Sequence, residues 1–350
     1  MPMLREIGGR AIGPEHPVFV IAEIGLNHSG SLERALAMVD AAAWAGASAI
    51  KLQTLEAESL VSAACPAPAH VRASSLRDFF AAFELDHDAH RAIVKRARDR
   101  HLAVMSTPFS IELVAMLRDL GIDAFKIASG DVTFDGLIAA AAETGRPLVV
   151  STGMSSLLEV GRALDIARTH GATDIAALHC VSAYPTPAAS QNLRAIRTLE
   201  RYLRVPVGLS DHSDSAQAAI PAVALGACIY ERHLVLEDDL EAIDRPVSST
   251  PSELKRLIET LETTRLALGD GRKVCQPCER PNIMASRRGL YAARPLKAGT
   301  RLTAQDVVAL RPATSLTPAA CSTLIGSVLS RDVAAGAPFS ATDIALERAS

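Results

Sequence analysis

The 350-residue chain is 49% apolar and 21% charged, the balance of a globular protein with a large core. Its formal net charge of −3 argues against nucleic acid or an anionic membrane as the main partner, because a mildly acidic surface attracts neither. No stretch reaches the roughly 18 uninterrupted apolar residues of a membrane span, and the opening Met1-Pro2-Met3-Leu4-Arg5-Glu6 lacks the apolar core of a signal peptide, so a cytoplasmic protein is expected.

In chain order, short Val- and Ile-rich segments alternate with longer Ala- and Leu-rich ones that carry charges at helical spacing. Val18–Glu23 reads as a buried strand and Leu32–Ala45 as a helix. Ala49–Gln53 and Asp88–His101 follow, then Ala103–Ser106 and Ile111–Leu120. Ala124–Ile127 and Pro147–Ser151 precede a helix over Ser155–His170. Ile175–His179 and Pro206–Leu209 precede one over Ala216–Leu225, and Cys228–His233 leads to Ser252–Leu268. Strand–helix alternation implies a parallel sheet, and eight strands in about 250 residues fit a (β/α)₈ TIM barrel, spanning 1–269. Residues 270–286 contain a Gly-, Pro- and charge-rich linker. Residues 287–350 read as a small β-rich domain with an internal repeat: Leu296–Val307 resembles Val333–Ile344, with Ala, Gly, Ala and Asp at matching places. The six cysteines are scattered and form no disulfide framework. Cys275-Gln276-Pro277-Cys278 stands alone, whereas a zinc site needs about four ligands, so it reads as a loop with two thiols.

Barrel active sites lie at the C-terminal strand ends, and here every such end is polar. They carry Glu23, Asn27 and His28; Lys51 and Gln53; Ser106-Thr107-Pro108; Lys126 and Ser129-Gly130-Asp131; Ser151-Thr152-Gly153; His179, Ser182 and Tyr184; Ser210-Asp211-His212; and Glu231-Arg232-His233. Two lysines among hydroxyls and glycines suggest a bound phosphate, a reading we prefer to rim ion pairs. His212 and His233 end neighbouring strands and suit one divalent ion, with Asp211 and Glu231 expected to orient the imidazoles. His16, His70, His87 and His90 are expected to be solvated.

These residues resemble the N-acetylneuraminate (sialic acid) synthase family. Ile21-Ala22-Glu23-Ile24-Gly25-Leu26-Asn27-His28-Ser29-Gly30 looks like its opening signature. Lys51-Leu52-Gln53-Thr54, Ser106-Thr107-Pro108-Phe109, Lys126-Ile127-Ala128-Ser129-Gly130, Ser151-Thr152-Gly153-Met154, Tyr184-Pro185-Thr186-Pro187, Gly208-Leu209-Ser210-Asp211-His212 and Glu231-Arg232-His233 follow in the family's order. The tail resembles its antifreeze-like (SAF) domain. The resemblance implies a transferase of carbohydrate biosynthesis that condenses phosphoenolpyruvate with an N-acylated amino sugar, giving a nonulosonic acid and phosphate. It implies phosphoenolpyruvate on Lys51, Thr107, Lys126, Ser129, Ser151 and Ser210. It also implies manganese, or Mg²⁺ or Co²⁺, on His212 and His233, and a domain-swapped homodimer in which Arg311 reaches the sugar. Glu23 is the candidate acid/base, with a rim salt bridge as its plainer role. Gln53, Asp131, Ser182, Tyr184 and Asp244 are candidate substrate contacts.

Several positions depart from the family. Asp131 stands where Glu is common, Ser182 where Asn precedes the Tyr-Pro motif, and Arg311-Pro312-Ala313-Thr314-Ser315 where two glycines are usual. Glu241-Ala242-Ile243-Asp244 replaces a Gly-Pro-Asp-type segment. A sugar other than N-acetylmannosamine is therefore expected, which makes a legionaminate, pseudaminate or other 3-deoxy-ulosonate synthase the nearest alternative. An aldolase using a Schiff base on Lys126, and a catalytically inactive sugar-binding protein, are the distant ones.

Overall fold

Strands that are apolar on both faces need a layer on each side, and a closed parallel barrel wrapped in helices supplies both. The computed structural model describes residues 6–66 and 73–344, so His70 falls outside the described residues. The barrel strands are β1 Phe19–Gly25, β2 Ala49–Thr54, β3 Ala103–Pro108, β4 Ala124–Ile127, β5 Leu148–Ser151, β6 Ile175–Cys180, β7 Val207–Asp211 and β8 Ile229–Leu234. Each pairs in parallel with the next, and β8 also pairs with β1, which closes the ring. The helices are α1 Leu32–Ala45, α2 His87–Asp99, α3 Ile111–Leu120, α4 Asp135–Glu143, α5 Leu157–Thr169, α6 Ala195–Leu203, α7 Ala219–Ala224 and α8 Pro251–Leu268. Among the described residues no helix is long and apolar enough to cross a membrane.

Local chemistry sets these boundaries. Ser156 with Glu159 and Thr250 with Glu253 form capping boxes that start α5 and α8. Gly46 and Gly121 end α1 and α3 in the left-handed conformation, where glycine carries no Cβ penalty. α4 and α6 were not expected. The run Asp135-Gly136-Leu137-Ile138-Ala139-Ala140-Ala141-Ala142 has no charge spacing to mark it, and α6 ends in the left-handed Arg204 where no glycine signals a stop.

Alternation along the strands builds two apolar layers. Outward residues such as Val20, Ile24, Ile50 and Val104 pack under the helices. Inward residues Phe19, Ile21, Ala49, Ala103, Met105, Val149 and Ile229 fill the lower barrel. Ile7 and Ile12 join this inner cluster from a hairpin of Glu6–Ile7 against Arg10–Ala11. The Gly8-Gly9 turn of that hairpin lies against Ala103 at the start of β3. It was unexpected, because two-residue strands leave no alternating pattern to read.

Contacts divide the chain into Met1–Asp270 and Gly271–Ser350. The first part of the second unit, read as linker, carries short helical turns at Pro277–Asn282 and Ile283–Ser286. Beyond it, β9 Gly289–Ala292 pairs antiparallel with β10 Val307–Leu310, around a core of Leu290, Leu296, Leu302, Leu324, Leu329, Val333 and Phe339. The sequence repeat is structural. Leu296 and Val333, one from each copy, exchange both backbone hydrogen bonds at 2.8 and 2.9 Å. Asp306 caps Thr303 and pairs with Arg294; Asp343 caps Ser340 and pairs with Arg331. An approximate two-fold therefore passes between Leu296 and Val333.

Gly208 occupies an inward position on β7, where an added Cβ would come within 2.7 Å of Leu178 Cδ2 and Ile229 Cβ. Gly208→Ala is expected to destabilise the protein by about 1–3 kcal/mol through overpacking, measured as a lower urea midpoint with an unchanged m-value.

Candidate active site

Above the apolar layers the inward positions turn ionic. Glu23 on β1 faces Lys51 on β2, because the strand register pairs those two residues. Glu231 on β8 is level with Ser210 on β7. Lys51 Nζ forms an ion pair with Glu23 Oε2, donates to Thr107 Oγ1 at 3.2 Å, and lies 3.9 Å from Glu231. Lys126 Nζ donates to both Glu231 oxygens at 2.9 and 3.0 Å, and Ser210 Oγ donates to one of them at 2.8 Å. All four charged groups are 5% exposed or less. Burial alone would lower the Lys51 ammonium, but Glu23 and Glu231 outweigh it and hold it above its usual range. Burial wins for Lys126, which sits below its usual range although Glu231 opposes the shift. Glu231 is held at about 2: burial would raise it, and Lys126 and Lys51 pull it down.

These groups line a cavity of about 290 Å³ at the C-terminal strand ends, together with Gln53, Ser129, Ser151, Ser182, Tyr184, His212 and His233. Ser129 Oγ accepts from Gly153 N at 3.0 Å. Asp131 ends the short 3₁₀ turn begun by Ser129; its Oδ2 is buried without a partner, and burial raises its carboxyl to about 6. Arg311 lies exposed on the second unit. Four cavity walls, Phe109, Ala128, Met154 and Cys180, were not among the candidate site residues. Each directly follows or ends a strand motif, and that position was the available signal.

Two expectations fail. Asp211 and Glu231 do not orient the imidazoles. Glu231 is committed to the lysines, and Asp211 accepts from Tyr230 Oη at 2.7 Å and Ser213 N at 2.8 Å. Strand alternation explains the latter: Asp211 faces outward from β7, away from the cavity. The carboxylate beside His233 is Asp244, 3.3 Å from Nδ1. Its loop is tied by Asn27, whose Oδ1 accepts from Asp244 N at 2.9 Å and whose Nδ2 donates to Leu234 O at 2.7 Å. Nor is His90 solvated: it is buried, with Nε2 3.0 Å from Thr54 Oγ1.

The site's fit to a divalent ion rests on the two imidazoles. His212 Nδ1 donates to Val181 O at 3.3 Å, which leaves Nε2 as the lone-pair nitrogen, 3.1 Å from the Tyr184 hydroxyl. Burial first, and His233 second, lower His212 to about 3, so it is neutral and able to ligate at neutral pH. His233 Nδ1 is buried, and its 3.3 Å contact with Asp244 lacks hydrogen-bond geometry, so the nitrogen has no hydrogen-bond partner. The ring centres are 5.6 Å apart. Both imidazoles thus stand side by side at the mouth of one cavity, where they would hold one divalent ion between them. Among the described residues no group of three or more His, Cys, Asp or Glu converges. Two protein donors leave coordination positions open, as catalytic rather than structural sites do.

Two predictions follow from these charges. Glu231→Gln leaves two buried lysines facing one carboxylate and is expected to cost about 3–5 kcal/mol of stability, read by urea unfolding. His28 is lowered to about 4, mostly by burial and then by His90 and Arg34; its Nδ1 accepts from Gly30 N at 3.1 Å. Between pH 6.5 and 4 the unfolded chain therefore binds a proton that the folded one refuses. Stability should be full above pH 6.5 and fall by on the order of 3 kcal/mol towards pH 4. His28→Gln should remove that share of the fall in urea midpoint across the window and leave the share of His212, which is lowered further.

Comparison with known proteins matches the NeuB family over residues 38–273 and the SAF domain over residues 287–345. The chain is 32% identical over 320 residues to an N,N'-diacetyllegionaminic acid synthase of Campylobacter jejuni, covering 89% of this chain and 96% of that one. It is also 32% identical over 331 residues to a pseudaminic acid synthase of the same species, covering 93% and 96%. The crystal structure of an N-acetylneuraminic acid (sialic acid) synthetase from Leptospira borgpetersenii matches at 34% identity with a TM-score of 0.72, covering 79% of this chain and 94% of that one.

Proposed function

Because the chain belongs to the NeuB family, we propose that its barrel condenses phosphoenolpyruvate with the open-chain form of an N-acylated amino sugar, giving a nonulosonic acid and phosphate. The observation that carries this reading is the buried set of two lysines and two glutamates beside two imidazoles in one cavity.

Lys51 and Lys126, with the hydroxyls of Thr107, Ser129, Ser151 and Ser210, hold the phosphate and carboxylate of phosphoenolpyruvate. Both lysines are already paired, so binding is an exchange of partners: substrate oxyanions take ammonium donors now shared with Glu231. C3 of phosphoenolpyruvate attacks the sugar aldehyde carbon, and water adds at C2. The C2–O bond to phosphorus then breaks, and inorganic phosphate departs. Glu23 lies beside Lys51 at the cavity floor and moves the proton of the attacking water or steadies the charge that develops at C2. A divalent ion on His212 and His233, Mn²⁺ in this reading with Mg²⁺ or Co²⁺ as substitutes, supplies Lewis acidity towards the sugar carbonyl when bound. Gln53, Asp131, Ser182, Tyr184 and Asp244 surround the acceptor. A domain-swapped homodimer brings Arg311 to its acyl group.

Identities of 32% to a legionaminic and to a pseudaminic acid synthase and 34% to an N-acetylneuraminic acid synthetase support an N-acylated amino sugar as acceptor without choosing among these three. The test is phosphate release from phosphoenolpyruvate with Mn²⁺ across N-acetylmannosamine, mannose and 2,4-diacetamido-2,4,6-trideoxyhexoses. Release that requires one sugar and stops with EDTA is expected. A folded, metal-loaded protein that releases none with any of them would count against the reaction. His212→Ala and His233→Ala should each lose metal content and at least about a hundred-fold in rate together. Full activity in either metal-free variant would remove the ion from the mechanism.

A further inference from the structure

Residues alternate along β8, so Glu231 and His233 face the cavity while Arg232 between them points behind the wall. It heads the fully buried side chains by size. Its Nη1 donates to Ser213 O at 2.6 Å and to Asp211 O at 3.4 Å. Its Nε donates to Ser249 Oγ at 3.2 Å and its Nη2 to Ser248 O at 3.5 Å. Asp211 provides the counter-charge at 3.8 Å.

These acceptors belong to two segments. Asp211 and Ser213 are the residues on either side of His212. Ser248 pairs in register with His233, and its hydroxyl donates to Asp244 O at 2.7 Å. One guanidinium therefore grips the backbone around the first imidazole and the strand lying against the second. A lysine could not do the same, because its ammonium is a point donor whereas the planar guanidinium spreads five N–H groups over a fixed fork.

We propose that Arg232 is a positioning residue for the divalent ion: from behind the barrel wall it sets the separation and direction of His212 and His233. This rests on the metal reading above. A buried charge is a weak source of stability, since apolar replacements are often neutral. A fork that joins, from one side chain, the two segments flanking β8 adds to the strand pairing that already holds them, and metal affinity is sensitive to groups that orient the ligands.

The test compares full-length wild type with Arg232→Lys, using electron paramagnetic resonance of Mn²⁺ to follow the ion and calorimetry to follow phosphoenolpyruvate in metal-free protein. Arg232→Lys is expected to weaken Mn²⁺ binding about 10–100-fold and to leave phosphoenolpyruvate affinity within about two-fold, since Lys51 and Lys126 stand on β2 and β4 and Glu231, which they share, faces the cavity on the opposite side of β8 from Arg232. Ser249→Ala removes one acceptor, leaves the charge in place, and is expected to weaken Mn²⁺ about five-fold; it decides the matter should the lysine variant not fold. Unchanged Mn²⁺ affinity in the folded variants overturns the proposal, as does a parallel loss of both ligands, which would indicate general loosening. Failure of the wild type to bind Mn²⁺ at all overturns instead the metal reading on which the proposal stands.

Discussion

Four charges buried on one barrel axis are the constraint that the rest of the structure serves. Removing an ion from water costs several kcal/mol, which is recovered only if partners are placed well. Lys51, Lys126, Glu23 and Glu231 meet that condition because strand register sets Glu23 opposite Lys51 and Glu231 level with Ser210. A slip of one residue would turn each charge into the apolar layer behind it. Continuous pairing through eight strands prevents the slip, and the close-packed layer of Phe19, Ile21, Met105 and Ile229 below holds the ring in shape. Core and site are thus one arrangement, apolar at the bottom and ionic at the top of the same inward-facing rows.

Much of this was legible in the residue order. Val- and Ile-rich runs marked all eight strands, and the polar residue types at their ends marked the cavity mouth. Twelve of the expected site residues, Glu23, Lys51, Gln53, Thr107, Lys126, Ser129, Ser151, Ser182, Tyr184, Ser210, His212 and His233, line one cavity. What was not legible is which side chains touch. Glu231 was assigned to an imidazole because it neighbours His233 in sequence, yet its partners stand on other strands, Ser210 on the neighbouring β7 and the lysines on β2 and β4. Asp211 was misplaced for a related reason: adjacency to His212 puts it on the opposite face of a strand. Long-range pairing and the facing of single residues depend on closure of the sheet, which no local pattern records.

The second unit shows the same limit from the other side. Its repeat was visible as recurring Ala, Gly, Ala and Asp, and the recurring Asp makes an equivalent cap in each copy, with Thr303 in one and Ser340 in the other. The axis relating the copies was not visible, because it runs through Leu296 and Val333, two ordinary apolar residues that differ in identity. Duplication of a short capped loop gives a small unit a shared core that neither half could close alone.

The hairpin beneath the barrel has a consequence for traffic. With Ile7 and Ile12 packed into the inner cluster, the barrel is a blind well with a single mouth. Whatever lodges at the floor must arrive before the molecule that sits above it, and must depart after it or past it. Depth alone therefore separates an inner berth from an outer one, and both share the same way in.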